Sequence, residues 1–200
     1  MKKIVLFLAA TVLANALAFG EAVVGKSAPA FTAKDIDGKV HKLSDYKGKI
    51  VVLEEYNLDC PFCANQFKSG AMQELQSYAA SKGVVWLLVD SAGAKTPSYR
   101  NPAAAKKEFA EEKIKAAAWI DDSSGEIGKA YGLKTTPHMI VIDKSGVVAY
   151  NGAIDDTPAT EGDPRKARNY VREAIDQLLA GQKPKVTSTR PYGCGVKYAD

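Results

Sequence analysis

The sequence predicts an α/β fold, one mixed central sheet with helices on both faces. Three observations carry this. Strand-like apolar runs at 49–56, 84–89 and 139–142 are separated by stretches whose apolar residues recur at helical spacing. The first of these runs, which includes Val51-Val52-Leu53, is continuous rather than alternating, as in a strand buried on both faces. The last two strand-like runs, 139–142 and 147–150, are joined only by the turn Lys144-Ser145-Gly146, so the series closes in an antiparallel hairpin.

Taken in order, the chain opens with polar residues 21–29. Phe31, the turn Asp35-Ile36-Asp37-Gly38, Val40 and Leu43 then predict a hairpin, because Asp-Gly supplies the positive φ of a tight turn. Gly48 ends that unit and the first buried strand follows. Pro61 begins a helix, where a missing N–H has no intrahelical partner to lose. Phe67, Ala71, Leu75, Tyr78 and Ala79 continue that helix to Lys82-Gly83. Gly70 lies inside it, at a cost of about 1 kcal/mol relative to alanine. Residues 91–102 have loop composition. Asn101-Pro102 is an N-cap followed by proline at the first helical position, predicting a helix over 103–113. A short strand at 117–120 precedes Ser123-Ser124-Gly125-Glu126, which has capping-box spacing and starts a helix that Gly132 ends. Val171, Ile175, Leu178 and Leu179 stripe a final helix closed by Gly181 and Pro184. Trp86 and Trp119 fall in strands and are expected in the core. The lysines at 106, 107, 113 and 115 are expected to be a solvated helix face.

A chain of 200 residues, 46% hydrophobic and 25% charged with no repeat, suits one globular domain. Its first residues predict a signal peptide: Lys2 and Lys3, an apolar stretch over 4–18, and small residues in Ala16-Leu17-Ala18. Fifteen helical residues span roughly 22 Å, short of a bilayer core of about 30 Å, which favours cleavage over anchoring. The expected layout is a signal peptide at 1–18, a domain at 23–181 and a tail at 182–200, with the mature chain in the periplasm and no membrane span. Without Lys2 and Lys3 the net charge of +4 falls to about +2, too little to argue for nucleic acid. Three cysteines are too few for a disulfide framework, so cysteine here reads as chemistry.

Cys60-Pro61-Phe62-Cys63 directly follows the first buried strand and opens a helix. Cys60 falls at the N-cap, where unpaired N–H groups and the helix dipole favour thiolate, the nucleophile of disulfide exchange. Cys63, one turn on, is placed to attack a mixed disulfide on Cys60. Half of a zinc site is disfavoured because His41 and His138 stand alone. A structural disulfide over so short a loop constrains the unfolded chain little. Two plain core cysteines are disfavoured beside a proline at a helix start.

These residues, with Thr135-Thr136-Pro137-His138-Met139-Ile140-Val141-Ile142-Asp143, resemble the thioredoxin superfamily. The preceding hairpin and the extra helix between the central strands resemble its peroxiredoxin-like branch (AhpC/TSA, redoxin) and bacterial periplasmic thiol–disulfide oxidoreductases. The resemblance implies a thioredoxin-like fold and a cis Thr136-Pro137 bond facing Cys60. It also implies that Thr136 binds a partner chain as an added strand, beside Pro61 and Phe62, and that a membrane-linked partner exchanges electrons with the site. Glu54 stands where thioredoxins carry a buried acid that takes a proton from the second cysteine; Glu55 beside it leaves the assignment open, as does a solvated strand-end carboxylate. Asp59 is expected to be a solvated loop charge, and His138 a hydrogen-bonded residue at a strand start.

Cys194 lies in a tail without periodicity that also holds Tyr192 and Tyr198. Three readings stand for it: a resolving partner for Cys60, as for a C-terminal cysteine in peroxiredoxin-like relatives; a bridge to another chain; or an unpaired thiol. The expected function is an exported thiol–disulfide oxidoreductase acting on protein or small thiols. It needs no dissociable cofactor and no metal, since electrons pass between sulfurs. An antioxidant thiol peroxidase ranks second, because the peroxidatic Pro-x-x-x-Thr/Ser-x-x-Cys motif is replaced by Leu53 and Asn57. A copper-binding assembly protein using Cys60, Cys63 and His138 ranks third.

Overall fold

The protein is described here by a computed structural model covering residues 22–199. The predicted signal segment lies outside the described residues. The N-terminal hairpin is formed by β1 (Thr32–Lys34) and β2 (Val40–Lys42), paired antiparallel. Asp35 tightens its turn by accepting the Asp37 and Lys39 N–H groups at 2.9 Å each. The dithiol follows β3 (Val51–Glu55), whose five residues are all buried. The order continues through α1 (Pro61–Lys68), α2 (Ala71–Ser81), β4 (Val85–Asp90), α3 (Pro102–Glu111), β5 (Ala118–Asp121) and α4 (Glu126–Tyr131). It closes with β6 (Thr135–Thr136), β7 (His138–Ile142), β8 (Val148–Gly152), α5 (Tyr170–Leu179) and β9 (Cys194–Gly195).

Five strands form the central sheet in the order β5-β4-β3-β7-β8. The β3–β4 and β4–β5 pairs are parallel, whereas β3–β7 and β7–β8 are antiparallel. β3 is therefore the innermost strand, which is why its sequence is apolar without alternation. The period of two divides its side chains between two cores. Val52, with Trp86, Trp119, Met139 and Val141, packs beneath Phe67, Met72 and Ile175 of α1, α2 and α5. Val51 and Leu53, with Leu87, Ile120 and Ile140, pack beneath Ile127 and Tyr131 of α4. The mixed sheet covered on both faces is thus the architecture read from the sequence.

Two local expectations are corrected. The long helix after Pro61 is two helices, because Gly70 takes φ +83 and caps α2 rather than sitting inside a continuous helix. A residue without Cβ adopts that conformation at little cost, so the glycine marks a break. Second, Ser123 does not cap α4; the buried Asp122 does, accepting the N–H groups of Ile127 at 3.0 Å and Gly128 at 2.8 Å. Asn101 caps α3 as expected, accepting from Ala104 N–H at 2.9 Å.

Candidate active site

Cys60 is the N-cap of α1 and Pro61 its first residue, so the end of β3 delivers the sulfur to the open N–H groups of a helix. Only 2% of Cys60 is exposed. Its thiol donates to Thr136 O at 2.9 Å, and its Sγ accepts the backbone N–H of Cys194 at 3.3 Å. Burial pushes the thiol up, but hydrogen bonds from the Cys194 side chain, the Cys63 backbone, the Thr136 side chain and the Cys194 backbone outweigh it, and the net direction is down. Cys63, one turn into α1, is fully buried and its thiol is pushed well up, first by burial and then by the charge of Glu54. All three cysteines are free thiols.

The ambiguity between the paired glutamates resolves on geometry. Glu54 shares the sheet face of Trp86, whose indole N–H donates to Glu54 Oε2 at 2.7 Å; Gln76 on α2 donates to the same oxygen at 3.1 Å. Oε1 is buried without a partner. Burial raises this carboxyl from 4.5 to about 7, against the opposing pull of those two donors. Glu55 points to the other face and meets Ser91, whose hydroxyl lies 2.8 Å from both Glu55 Oε2 and Asp122 Oδ2. One hydroxyl hydrogen serves one carboxylate, so one of the two acids carries a proton. Asp122 is already satisfied by two backbone donors, which leaves Glu55 as the protonated one, in line with burial pushing it far up. Glu54 is the acid beside the dithiol.

Thr136-Pro137 is a cis peptide, and Pro137 is buried. His138 sits at the start of β7 with Nδ1 accepting from Lys134 N–H at 3.1 Å and Nε2 facing Asn151 Oδ1 at 2.8 Å. Among the described residues, no group of three or more His, Cys, Asp or Glu side chains is arranged to hold a metal.

The tail lies across this site. β9 pairs antiparallel with β6, with Thr136 opposite Cys194 and Thr135 opposite Gly195. Tyr192 packs on Phe62 with ring centroids 5.7 Å apart and donates to the buried Asp155 at 2.6 Å; Asp155 is fixed from α1 by Gln66 at 2.8 Å. Tyr198 donates to Leu133 O at 2.6 Å, and Lys197 O accepts from Gly93 N–H at 2.8 Å. The Cys194 thiol is raised to about 11 by burial, its hydrogen bond to Cys60 and the charge of that sulfur.

Sequence reasoning missed several of these residues. Asp155 and Gln66 carried no motif. Asp59 is not simply solvated: Arg100, unremarked in the loop before α3, reaches it at 2.6 Å and Glu108 at 2.8 Å, while Tyr56 donates to the same Glu108 at 2.8 Å. That chain ties the dithiol loop to α3. Asn57, where the peroxidatic hydroxyl is expected, instead accepts from Asp59 N–H at 2.9 Å and shapes the loop.

The chain is similar to several known proteins. The AhpC/TSA family model matches residues 24–151. The thiol-disulfide oxidoreductase ResA of Geobacillus thermodenitrificans is 32% identical over 139 residues, 69% of this chain and 74% of that protein. The chloroplastic peroxiredoxin Q of Oryza sativa subsp. japonica is 30% identical over 144 residues, 68% of this chain and 61% of that protein. Among solved structures, an uncharacterized conserved protein from Geobacillus kaustophilus superposes with TM-score 0.79 at 26% identity, over 89% of this chain and 93% of its own. A putative DsbE thiol:disulfide interchange protein from Chlorobium tepidum superposes with TM-score 0.55 at 25% identity, over 80% and 98%. Thioredoxin-like architecture and a thiol-based redox site thus coincide in one chain, which belongs to the AhpC/TSA family and is a redox enzyme of the thiol–disulfide oxidoreductase type.

Proposed function

We propose that the chain is an exported thiol–disulfide oxidoreductase in which Cys60 attacks, Cys63 resolves, and Cys194 is a second resolving thiol. The observation that carries this reading is Cys60 itself, a low-pKa sulfur bound on one side by the loop before Pro137 and on the other by the backbone of Cys194. In the reducing direction the Cys60 thiolate attacks a substrate disulfide. A Cys60–substrate bond forms, and the other substrate sulfur leaves and takes a proton. Cys63 then gives its proton to ionised Glu54 and attacks Cys60; the second substrate thiol departs, and a Cys60–Cys63 disulfide remains. The same steps reversed oxidise a dithiol. Thr136, Pro137, Pro61 and Phe62 form the surface on which the substrate sulfur is presented. From the oxidised form, in which the Cys60 sulfur no longer carries the charge that holds the Cys194 proton on, Cys194 loses its proton to solvent and displaces Cys63 from Cys60. A Cys60–Cys194 disulfide forms, the Cys60–Cys63 bond breaks, and Cys63 takes a proton from Glu54, without an outside oxidant.

Export rests on residues 1–18 and on cysteine usage, and it places the chain in the periplasm with a membrane-linked redox partner. No helix among the described residues is long and apolar enough to cross a membrane. Substrates on this reading are protein or small thiols and disulfides. A peroxidase is the second reading, supported by the likeness to peroxiredoxin Q and by a cysteine near the C-terminus beside the first sulfur. Alkylation with iodoacetamide across pH 5–9, followed by titration in defined thiol redox buffers, tests the proposal. Cys60 should react well below pH 8 and much faster than Cys63, and the buffers should yield a reversible two-electron couple. Equal alkylation at both sulfurs would count against Cys60 as the attacking thiolate, and peroxide consumption without disulfide exchange would favour the second reading.

A further inference from the structure

The strand by which a thioredoxin-like site would receive a partner is already paired in this molecule. β6 has β9 on its edge. The Cys60 sulfur links the two strands, donating to Thr136 O and accepting from Cys194 N–H. Thr136 Oγ1 donates to Cys194 O at 3.4 Å and Val196 N–H to Lys134 O at 3.2 Å, so the tail lies there as an added strand that presents a cysteine. An incoming segment cannot reach the same edge while the tail is on it. The bound tail also displays what the edge accepts. Gly193, immediately before the cysteine, has φ +129, and a Cβ there would overlap the Thr136 carbonyl. Gly195, immediately after, has open space. Two places before the cysteine, Tyr192 fills the surface of Phe62 and reaches the buried Asp155. On the domain side, Gly93 and Gly128 leave the room that Ala199 and Tyr198 occupy: a Cβ at either would meet those residues at 2.5 Å.

We propose that the edge Thr135–Thr136 recognises an extended polypeptide segment of the pattern aromatic-Gly-Cys, and that the chain's own Tyr192-Gly193-Cys194 is a tethered occupant that such a substrate must displace. This rests on Cys60 being the attacking thiolate. The occupant holds Cys60 covered until a segment with the same three features competes for Phe62, Asp155 and the Thr136 backbone. The tail stays attached meanwhile through Thr189, whose hydroxyl binds Tyr150 at 2.6 Å and Ala153 N–H at 2.9 Å.

The test uses the full chain and a fluorescent peptide of residues 190–196 carrying Cys194→Ser, with binding read by anisotropy. Gly193→Val in the protein should push the tail off, raise the rate of Cys60 alkylation at least tenfold and expose a site for the peptide. The unmodified chain should bind the peptide at least tenfold more weakly than the Gly193→Val chain. A peptide that also carries Gly193→Val should bind the opened protein at least tenfold more weakly than the glycine peptide. Should Gly193→Val not fold, Tyr192→Phe carries the test, because it keeps the ring and removes the donor to Asp155; Cys60 alkylation should then rise about threefold or more. Unchanged alkylation in the folded variant, equal binding to open and unmodified chains, or equal binding of the two peptides overturns the proposal. Neither readout needs turnover. A chain that passes both yet exchanges no disulfides refutes the redox reading and leaves the recognition edge standing, and an active chain that fails both does the reverse.

Discussion

Two thiols stand beside Cys60, and the chain holds them by different means. Cys63 belongs to α1, fully buried in the core that Phe67 and Trp86 share, next to a buried acid whose carboxyl sits near 7. Cys194 belongs to a two-residue strand, half-exposed, kept in place by a few backbone bonds and two tyrosine hydroxyls. The first partner is built into the fold with a buried carboxyl beside it. The second is carried by a segment whose contacts with Thr136, Phe62 and Asp155 an incoming strand could also make. The Cys63 route should therefore depend on Glu54, and the Cys194 route on whether the tail is docked.

The largest effect that separates the two routes is kinetic. Glu54→Gln keeps the shape of the side chain and removes the ionisable carboxyl proposed to take the Cys63 proton. Decay of a mixed disulfide on Cys60 through Cys63 should slow about 10²-fold at pH 8, the low end of general base catalysis. Formation of Cys60–Cys194 in a Cys63→Ser background should change little. Equal slowing of both in single-turnover mapping would dissolve the distinction.

A thermodynamic effect of the same carboxyl comes next. In the unfolded chain Glu54 ionises near 4.5, in the folded chain near 7. Between those values the unfolded state has lost its proton and the folded state has not, so stability falls as pH rises and levels off above about 7. The full loss is about 3 kcal/mol. Urea unfolding of Glu54→Gln and of the unmodified chain should show the variant gaining up to about 3 kcal/mol relative to its parent between pH 4.5 and 8. A difference independent of pH would mean that Glu54 is not buried as described.

Smaller still is Gly70→Ala. A glycine within a continuous helix is stabilised by alanine, whereas at φ +83 alanine is strained. Because no atom lies within 4 Å of the Cβ position, the cost is backbone strain alone, about 1 kcal/mol of destabilisation by thermal or urea melting. A stabilised variant would restore the single helix.

That residue illustrates what the sequence could and could not convey. Strand and helix periods, the Asn101 cap and the position of Cys60 at a helix start were legible because each depends on neighbours in the chain. Gly70 has the same local pattern as a helix-interior glycine; only its φ separates the two. Asp122 displaced the expected Ser123 cap because its side chain, one residue earlier, faces the N–H groups of Ile127 and Gly128. The choice between Glu54 and Glu55 required the register of β3 against β4, which places Trp86 on the Glu54 side. β9 is two residues long and has no period to read; it exists because Thr136 lies opposite it, 58 residues earlier. Arg100 and Asp59, 41 residues apart, likewise meet only after folding.

The difference between the two thiols rests on exchange of the tail sulfur with Cys60. The direct measurement is peptide mapping of the Cys63→Ser chain after gentle oxidation under dilute conditions. An intramolecular Cys60–Cys194 disulfide in the monomer is the predicted result, since the backbone of Cys194 already touches the Cys60 sulfur. Disulfide-linked dimers through Cys194, or a Cys194 that stays reduced while Cys60 oxidises, would contradict it.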